Sequence, residues 1–263
     1  MKKIGFIILA IIGLSFTSCF QDLGQNPPFD FPEQPTPPPL GADGQIFYMS
    51  FDEDFEDYQS LAEATPQGNP TRTDGKKGKA YTGAKDSYLT FGISNLAAPL
   101  STEMTFGFWY KVNANPDRAG ILVIGPPTEG QAANQQNNRT SGIRIFRENA
   151  SGKQRIKANV GNGTAETWVD GAAKADIDPT NAEWKYIALV LTEGKVFFYI
   201  DGVEVAAPNF SKISWTGCDI MSIGSGAPRF TGWNHLSDNS QIDELRIYNK
   251  ALSANEVKNL MNK

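Results

Sequence analysis

Ile242-Asp243-Glu244-Leu245-Arg246-Ile247-Tyr248-Asn249-Lys250-Ala251-Leu252-Ser253 is the stretch that decides the fold. Its first seven residues alternate: successive side chains of an extended strand point to opposite sides, so Asp243, Leu245 and Ile247 are expected on one face. Just beyond it, Ser253 and Glu256 have the spacing of a capping box, with Val257 and Leu260 following on one face, which predicts a short closing helix. About 40 residues upstream, Trp184 to Leu191 and Lys195 to Ile200 form two apolar runs across Thr192-Glu193-Gly194. Asp201-Gly202 then turns the chain into Val203-Glu204-Val205, a third strand of an antiparallel meander.

The same pattern extends toward the N-terminus. Gly142 to Phe146 faces Arg155 to Val160 across Asn149-Ala150-Ser151-Gly152, with the Gly that short hairpin loops prefer. In Met104 to Tyr110 the set Met104, Phe106 and Phe108 shares a face, and in Ile46 to Phe51 the set Phe47, Met49 and Phe51 does the same. No sustained helical period precedes the last dozen residues, and no fixed repeat points to a solenoid or propeller. The expectation is an all-β, two-sheet antiparallel sandwich with a short C-terminal helix, built as one domain from the 220 residues 44–263.

Three stretches together resemble the laminin G-like, concanavalin A-like family. Phe51-Asp52 is followed about 25 residues later by Gly78-Lys79-Ala80-Tyr81-Thr82-Gly83 and Tyr88-Leu89. Trp184 to Val190 leads into Val196-Phe197-Phe198-Tyr199-Ile200-Asp201-Gly202, similar to the family's paired strands ending in a Tyr-x-Asp-Gly turn. The opening stretch, Ile242 to Ser253, resembles the family's closing strand and helix start and is the most specific of the three. The resemblance spans Gln45 to Leu260 and implies a jelly roll. It leaves function open among lectin modules, glycoside hydrolases and adhesion domains.

The chain starts with Lys2-Lys3 and 11 apolar residues, Ile4 to Leu14, short of the roughly 20 that span a bilayer, so residues 1–18 are expected to be a secretory signal. Phe16-Thr17-Ser18-Cys19 resembles a lipobox, implying cleavage before Cys19 and its acylation. Several acyl chains on one residue anchor stably where a single chain does not. Residues 19–43 carry Pro27-Pro28, Pro32, Pro35 and Pro37-Pro38-Pro39 and are expected to be a stalk. Together these predict a cell-envelope, outer-membrane lipoprotein, with surface exposure inferred from the stalk. With Cys19 lipidated, Cys218 has no partner in the chain, so no disulfide supports the fold. The net charge of −5 and the lack of basic runs beyond Lys76-Lys77-Gly78-Lys79 exclude the electrostatic footprint of a nucleic-acid binder. A monomer is expected.

Candidate chemistry follows from a few positions. If Leu245 and Ile247 are core, Asp243 points inward with them, and a buried carboxylate needs a partner. The family resemblance implies a structural calcium near the first and last strands, with Asp52 and Asp243 as its ligands; the acidic run Asp52 to Asp57 beside the first strand supplies oxygens of the kind calcium takes. The Glu-x-Asp-x-Glu pattern of jelly-roll glucanases is approached only by Asp52-Glu53-Asp54-Phe55-Glu56, at a strand end. His235 is the single histidine, which rules out a multi-histidine zinc site. The loop Gly224 to Gln241 holds Arg229, Phe230, Trp233, Asn234, His235 and Asp238, the mixture of aromatic faces and polar groups that carbohydrate recognition uses. The polar loop Gln131 to Arg139 and the tryptophans Trp168 and Trp215 are further candidates. Arg229, Phe230, Trp233, Asn234 and His235 are therefore expected to bind polysaccharide without catalysis, with Trp233→Ala abolishing binding. A jelly-roll glycoside hydrolase and a protein-binding adhesion module are the alternatives.

Overall fold

The computed structural model describes residues 43–181 and 183–263; the expected signal segment 1–18, Cys19 and the rest of the stretch through residue 42 lie outside the described residues. The chain begins with β1 (Gln45–Met49), β2 (Thr65–Gln67), β3 (Thr71–Asp74), β4 (Lys79–Thr82) and β5 (Tyr88–Gly92). The long strands β6 (Met104–Lys111), β7 (Arg118–Gly125), β8 (Ser141–Ala150) and β9 (Lys153–Asn162) follow, then β10 (Glu166–Asp170). The meander β11 (Trp184–Leu191), β12 (Gly194–Ile200) and β13 (Val203–Ala206) precedes β14 (Ile220–Ile223), β15 (Gln241–Tyr248) and the helix α1 (Ala254–Leu260).

These strands form the expected sandwich. One sheet runs β13-β12-β11-β6-β15-β4-β3 with β1 alongside β15, and the other runs β10-β9-β8-β7-β14-β5-β2. The apolar alternation explains the pairing of the layers: Phe47, Met49, Phe106 and Phe108 from the first sheet meet Ile121, Ile143, Ile145 and Val160 from the second in one buried cluster. Each such side chain, taken fully out of water, contributes roughly 1.5–3 kcal/mol. The turn between β12 and β13 places Asp201 at φ 51° and Gly202 at φ 70°, the positive-φ pair that a two-residue hairpin turn demands.

The first sheet is covered on both sides. Trp109, Tyr186, Val190 and Tyr248 project from its outer face and are buried under Val257 and Leu260 of α1. The helix is held at its start as the sequence predicts, with Ser253 Oγ accepting the Glu256 N–H and the Glu256 side chain accepting the Ser253 N–H. Each end of the capping box satisfies an amide that the helix itself cannot.

One expectation about β15 is corrected. Ile242 pairs with Tyr110 and Asp243 with Trp109, but the register then shifts so that Arg246 pairs with Gly107. Glu244, at φ 54°, is the extra residue of a β-bulge. The bulge changes the parity of the strand, so Leu245 and Ile247 enter the core while Asp243 turns to the opposite, outer face beside Trp109.

Candidate functional site

The outer face of the second sheet carries the exposed aromatics. In β10 the alternation puts Val169 in the core and Glu166, Trp168 and Asp170 outward. Trp168 is 39% exposed and Trp233, from the loop before β15, 38%. Their rings stack at 5.6 Å between centroids, 11° from parallel. Arg139 lies against both, its Cζ 4.3 Å from the Trp233 centroid and 5.8 Å from that of Trp168. A guanidinium on an indole face is favoured by the ring quadrupole. Arg139 also makes a two-point contact with Glu166, which accepts as well from Asn159 Nδ2 at 2.8 Å and from the Trp168 side chain.

The two loops picked out in the sequence meet here. The Thr231 and Gly232 amides donate to the Gln136 carbonyl at 2.7 and 3.0 Å, and Thr231 Oγ1 donates to the Ala133 carbonyl. Beneath them, Arg147 Nη2 pairs with Asp238 at 2.8 Å in full burial, and Tyr110 and Ser240 donate to the same carboxylate. Asp238 is thus the anchor of the aromatic loop and has no room for a ligand.

Of the five residues expected to bind, Trp233 and Asn234 are exposed on this face, while Phe230 and His235 are fully buried and the expectation for them is corrected. Phe230 and His235 stack on each other at 4.7 Å and close over Phe146 of β8; this apolar contact pulls the loop down onto the sheet and makes them the support under Trp233. His235 Nε2 lies 3.1 Å from Glu148 Oε1. The carboxylate only accepts, so Nε2 carries the proton. Burial holds the imidazole pKa below its ordinary value, and the His235 hydrogen bond, with Lys157 also near, brings Glu148 to about 2. Arg229 points away into a two-point pair with Asp219, and Trp215 is packed on the core with Nε1 donating to the Ser101 carbonyl. Trp168 and Arg139, secondary candidates in the sequence, are central in the structure.

Glu148, Asp170, Asp176 and Glu166 of this face are each tied to a cation. Lys157 Nζ is 3.0 Å from Glu148 and 3.3 Å from Asp170, Arg155 binds Asp176 at 2.6 Å, and the Arg139 hydrogen bond keeps Glu166 low. Glu148 and Asp170 share Lys157, and Glu148, held low, does not suit a general acid, which must hold a proton near neutral pH. The carboxyls pushed upward, Asp57 and Asp243, sit elsewhere: Asp57 accepts the Tyr48, Gln59 and Ser60 amides. Along β9 the face continues into an open groove of about 530 Å³ lined by Asn149, Ser151, Lys153, Arg155, Lys157 and Asp176.

Asp52 and Asp243 clasp one turn of the first sheet from two sides. Asp52 Oδ1 accepts the Lys79 amide at 2.7 Å and Asp243 Oδ2 the Lys77 amide at 2.9 Å. Asp243 is fully buried, its Oδ1 meets no partner, and burial lifts its pKa to about 7. That orphaned oxygen suits a cation, but calcium takes roughly six to eight oxygens. Among the described residues no group of three or more acidic, histidine or cysteine side chains is gathered, so carbonyls and solvent would have to complete the shell.

Residues 82–258 match the family described as the concanavalin A-like lectin/glucanases superfamily. Among solved structures, domain 4 of AbnA, a GH43 extracellular arabinanase from Geobacillus stearothermophilus in complex with arabinotriose, is similar with a TM-score of 0.61 and 21% identity over 82% of this chain and 97% of that one. The binding domain of botulinum neurotoxin DC, in complex with rat synaptotagmin II, gives 0.59 and 14% over 84% and 51%. A structure of botulinum neurotoxin type C, whose cell entry is dependent upon interaction with two ganglioside molecules, gives 0.56 and 14% over 84% and 51%. The chain spans about half the length of those toxin chains, and at such identities the likeness is one of fold. No curated protein matches the sequence.

Proposed function

The chain belongs to the concanavalin A-like lectin/glucanases superfamily, and we propose that it is a non-catalytic glycan-binding module that holds a sugar chain against Trp168 and Trp233. The observation that carries this reading is the exposed Trp168–Trp233 stack braced by Arg139. Apolar sugar faces stack on such rings, and Arg139, Glu166 and Asn234 supply donors and acceptors around them. A similar scaffold, the AbnA domain, is in complex with arabinotriose, which supports the same use of the fold in this chain. The pairing of Glu148, Asp170, Asp176 and Glu166 with cations weighs against the hydrolase alternative.

The same reading includes a lipid anchor at Cys19, display at the outer face of the envelope, and a structural calcium at the turn held by Asp52 and Asp243. Calorimetry of the purified protein against plant, host and microbial polysaccharides tests the central claim. Saturable heat without new reducing ends is expected, with Trp168→Ala and Trp233→Ala each lowering affinity about tenfold or more, as central aromatic anchors do. Silence across the panel, together with sugar-insensitive capture of a defined protein, would hand the face to a protein partner.

A further inference from the structure

Pairing partners place Ser222, Val123, Arg144, Asn159 and Trp168 in one row across β14, β7, β8, β9 and β10 on the outer face of the second sheet. Trp168 ends the row in solvent; Arg144, Asn159 and Ser222 are fully buried. Those three carry side-chain atoms without any hydrogen-bond partner: Arg144 Nε and Nη1, Asn159 Oδ1 and Ser222 Oγ. The guanidinium makes one bond, from Nη2 to the Asn138 carbonyl of the covering loop. Asn137 Oδ1, beside it in that loop, is also unpartnered.

Arg144 differs in kind from the other buried arginines. Arg147 is matched by Asp238 and Arg246 by Glu244, whereas Arg144 forms no ion pair among the described residues. Its acidic neighbour Glu166 is committed to Arg139 and Asn159. Burial draws the Arg144 pKa down to about 10, so it remains a cation at neutral pH. The thiol of Cys218 nearby is pushed up to about 12 by burial and supplies no counter-charge. A buried charge without a counter-ion is among the costliest arrangements in a folded chain, and an anion is what relieves it.

We propose that Arg144, flanked by Asn159 and Ser222, is the receptor for a carboxylate carried by the glycan, so that the ligand is an acidic oligosaccharide of the uronate or sialate type. This rests on the glycan reading of the Trp168–Trp233 face. Two strand spacings, about 10 Å, separate Arg144 from Trp168, so one short chain can stack a ring on the tryptophan and reach the guanidinium with its acid. The acid replaces the single Asn138 carbonyl contact with charge-assisted hydrogen bonds from Nε and Nη1, and Ser222 Oγ can add another. Arg144 is fully buried under the Asn138 carbonyl, so loop residues 131–140 would have to shift for the acid to reach it.

The test compares oligogalacturonates, alginate oligomers and sialyllactose with their carboxyl-reduced or desialylated counterparts, using calorimetry and tryptophan fluorescence on the wild type and Arg144→Gln. At least one acidic ligand is expected to bind about tenfold or more tighter than its neutral partner, with a change in tryptophan emission, and the ratio is expected to fall toward one in Arg144→Gln. Because that substitution removes an unpaired buried charge, its melting temperature is expected at or above that of the wild type, which separates lost recognition from lost folding. Equal binding of acidic and neutral ligands through Trp168 overturns this inference and leaves the glycan reading standing. Retention of the acid preference in Arg144→Gln also overturns it, as does an equal effect of acetate or chloride, which would make Arg144 a site for free small anions. Failure of every oligosaccharide, acidic or neutral, removes the glycan reading and this inference together.

Discussion

His235 has its chemistry set by what covers it. Phe146 and Phe230 exclude water from the ring, so the neutral form is favoured, and Glu148 is stabilised as the anion that accepts its hydrogen bond. Both groups have folded pKa values below their ordinary ones. Depressed pKa values contribute stability that is fully present above the unfolded values and is lost as pH falls. The protein is therefore expected to lose stability first below about 6.5 as the unfolded chain protonates its histidine, then between about 4.5 and 2 as Glu148 protonates. In Glu148→Gln the second limb should flatten, so that the wild type exceeds the variant in melting temperature by a few degrees at pH 7, with the gap narrowing toward pH 3; 1 kcal/mol is worth about 2–4 °C at this size. Scans of the two proteins from pH 7 to pH 3 decide this, and parallel curves would contradict it. The sequence could show that Trp233 and Asn234 belong to a polar, aromatic loop, and both are exposed. It could not show that Phe230 and His235 would be spent on Phe146, because that contact depends on where the loop lands on a strand some 85 residues earlier.

At the scale of elements, the landing of that loop depends on backbone meeting backbone. Gly120 of β7 donates its amide to the Leu236 carbonyl at 3.1 Å, and a Cβ there would lie 2.0 Å from the Gly226 nitrogen. No side-chain rotation relieves such a clash. Gly120→Ala is expected to destabilise the fold by about 1–3 kcal/mol, the usual range for overpacking, and to weaken glycan binding through Trp233 while β6 to β9 stay paired; denaturant titration and calorimetry report the two effects separately. The turn held by Asp52 and Asp243 makes a second prediction. If calcium completes the Asp243 environment, added calcium should raise the melting temperature and a chelator lower it, and Asp243→Asn should abolish the response. An unchanged melting temperature would leave the turn held by the Lys77 and Lys79 amides alone. Strand alternation and turn chemistry made β6, both central hairpins and the capped α1 legible in the sequence. The bulge in β15 was not, since Glu244 takes positive φ without the Gly or Asn that announces such a conformation. Alternation from Leu245 therefore carried Asp243 to the inner face when the strand had already changed parity.

At the scale of the whole molecule, the proposed anchor would join a shallow face to a tether. The Trp168–Trp233 stack is open to solvent rather than enclosed, and a site of that kind gains strength from multiplicity. Residues 19–43 could extend at most about 85 Å, enough for anchored copies to reach one polymeric ligand, and binding a second copy to the same chain occurs at a high effective concentration. If Cys19 bears the anchor, Cys19→Ala should move the protein from the membrane fraction to the soluble one without altering its affinity for a short oligosaccharide. Vesicles carrying the lipidated protein should then retain polysaccharide at least about 100-fold more tightly than the soluble variant at equal protein concentration, and Trp233→Ala should lower both affinities about tenfold or more. Equal retention by vesicles and soluble protein would mean that one face already supplies all the binding; a Cys19→Ala protein that still sediments with membranes would place the anchor elsewhere.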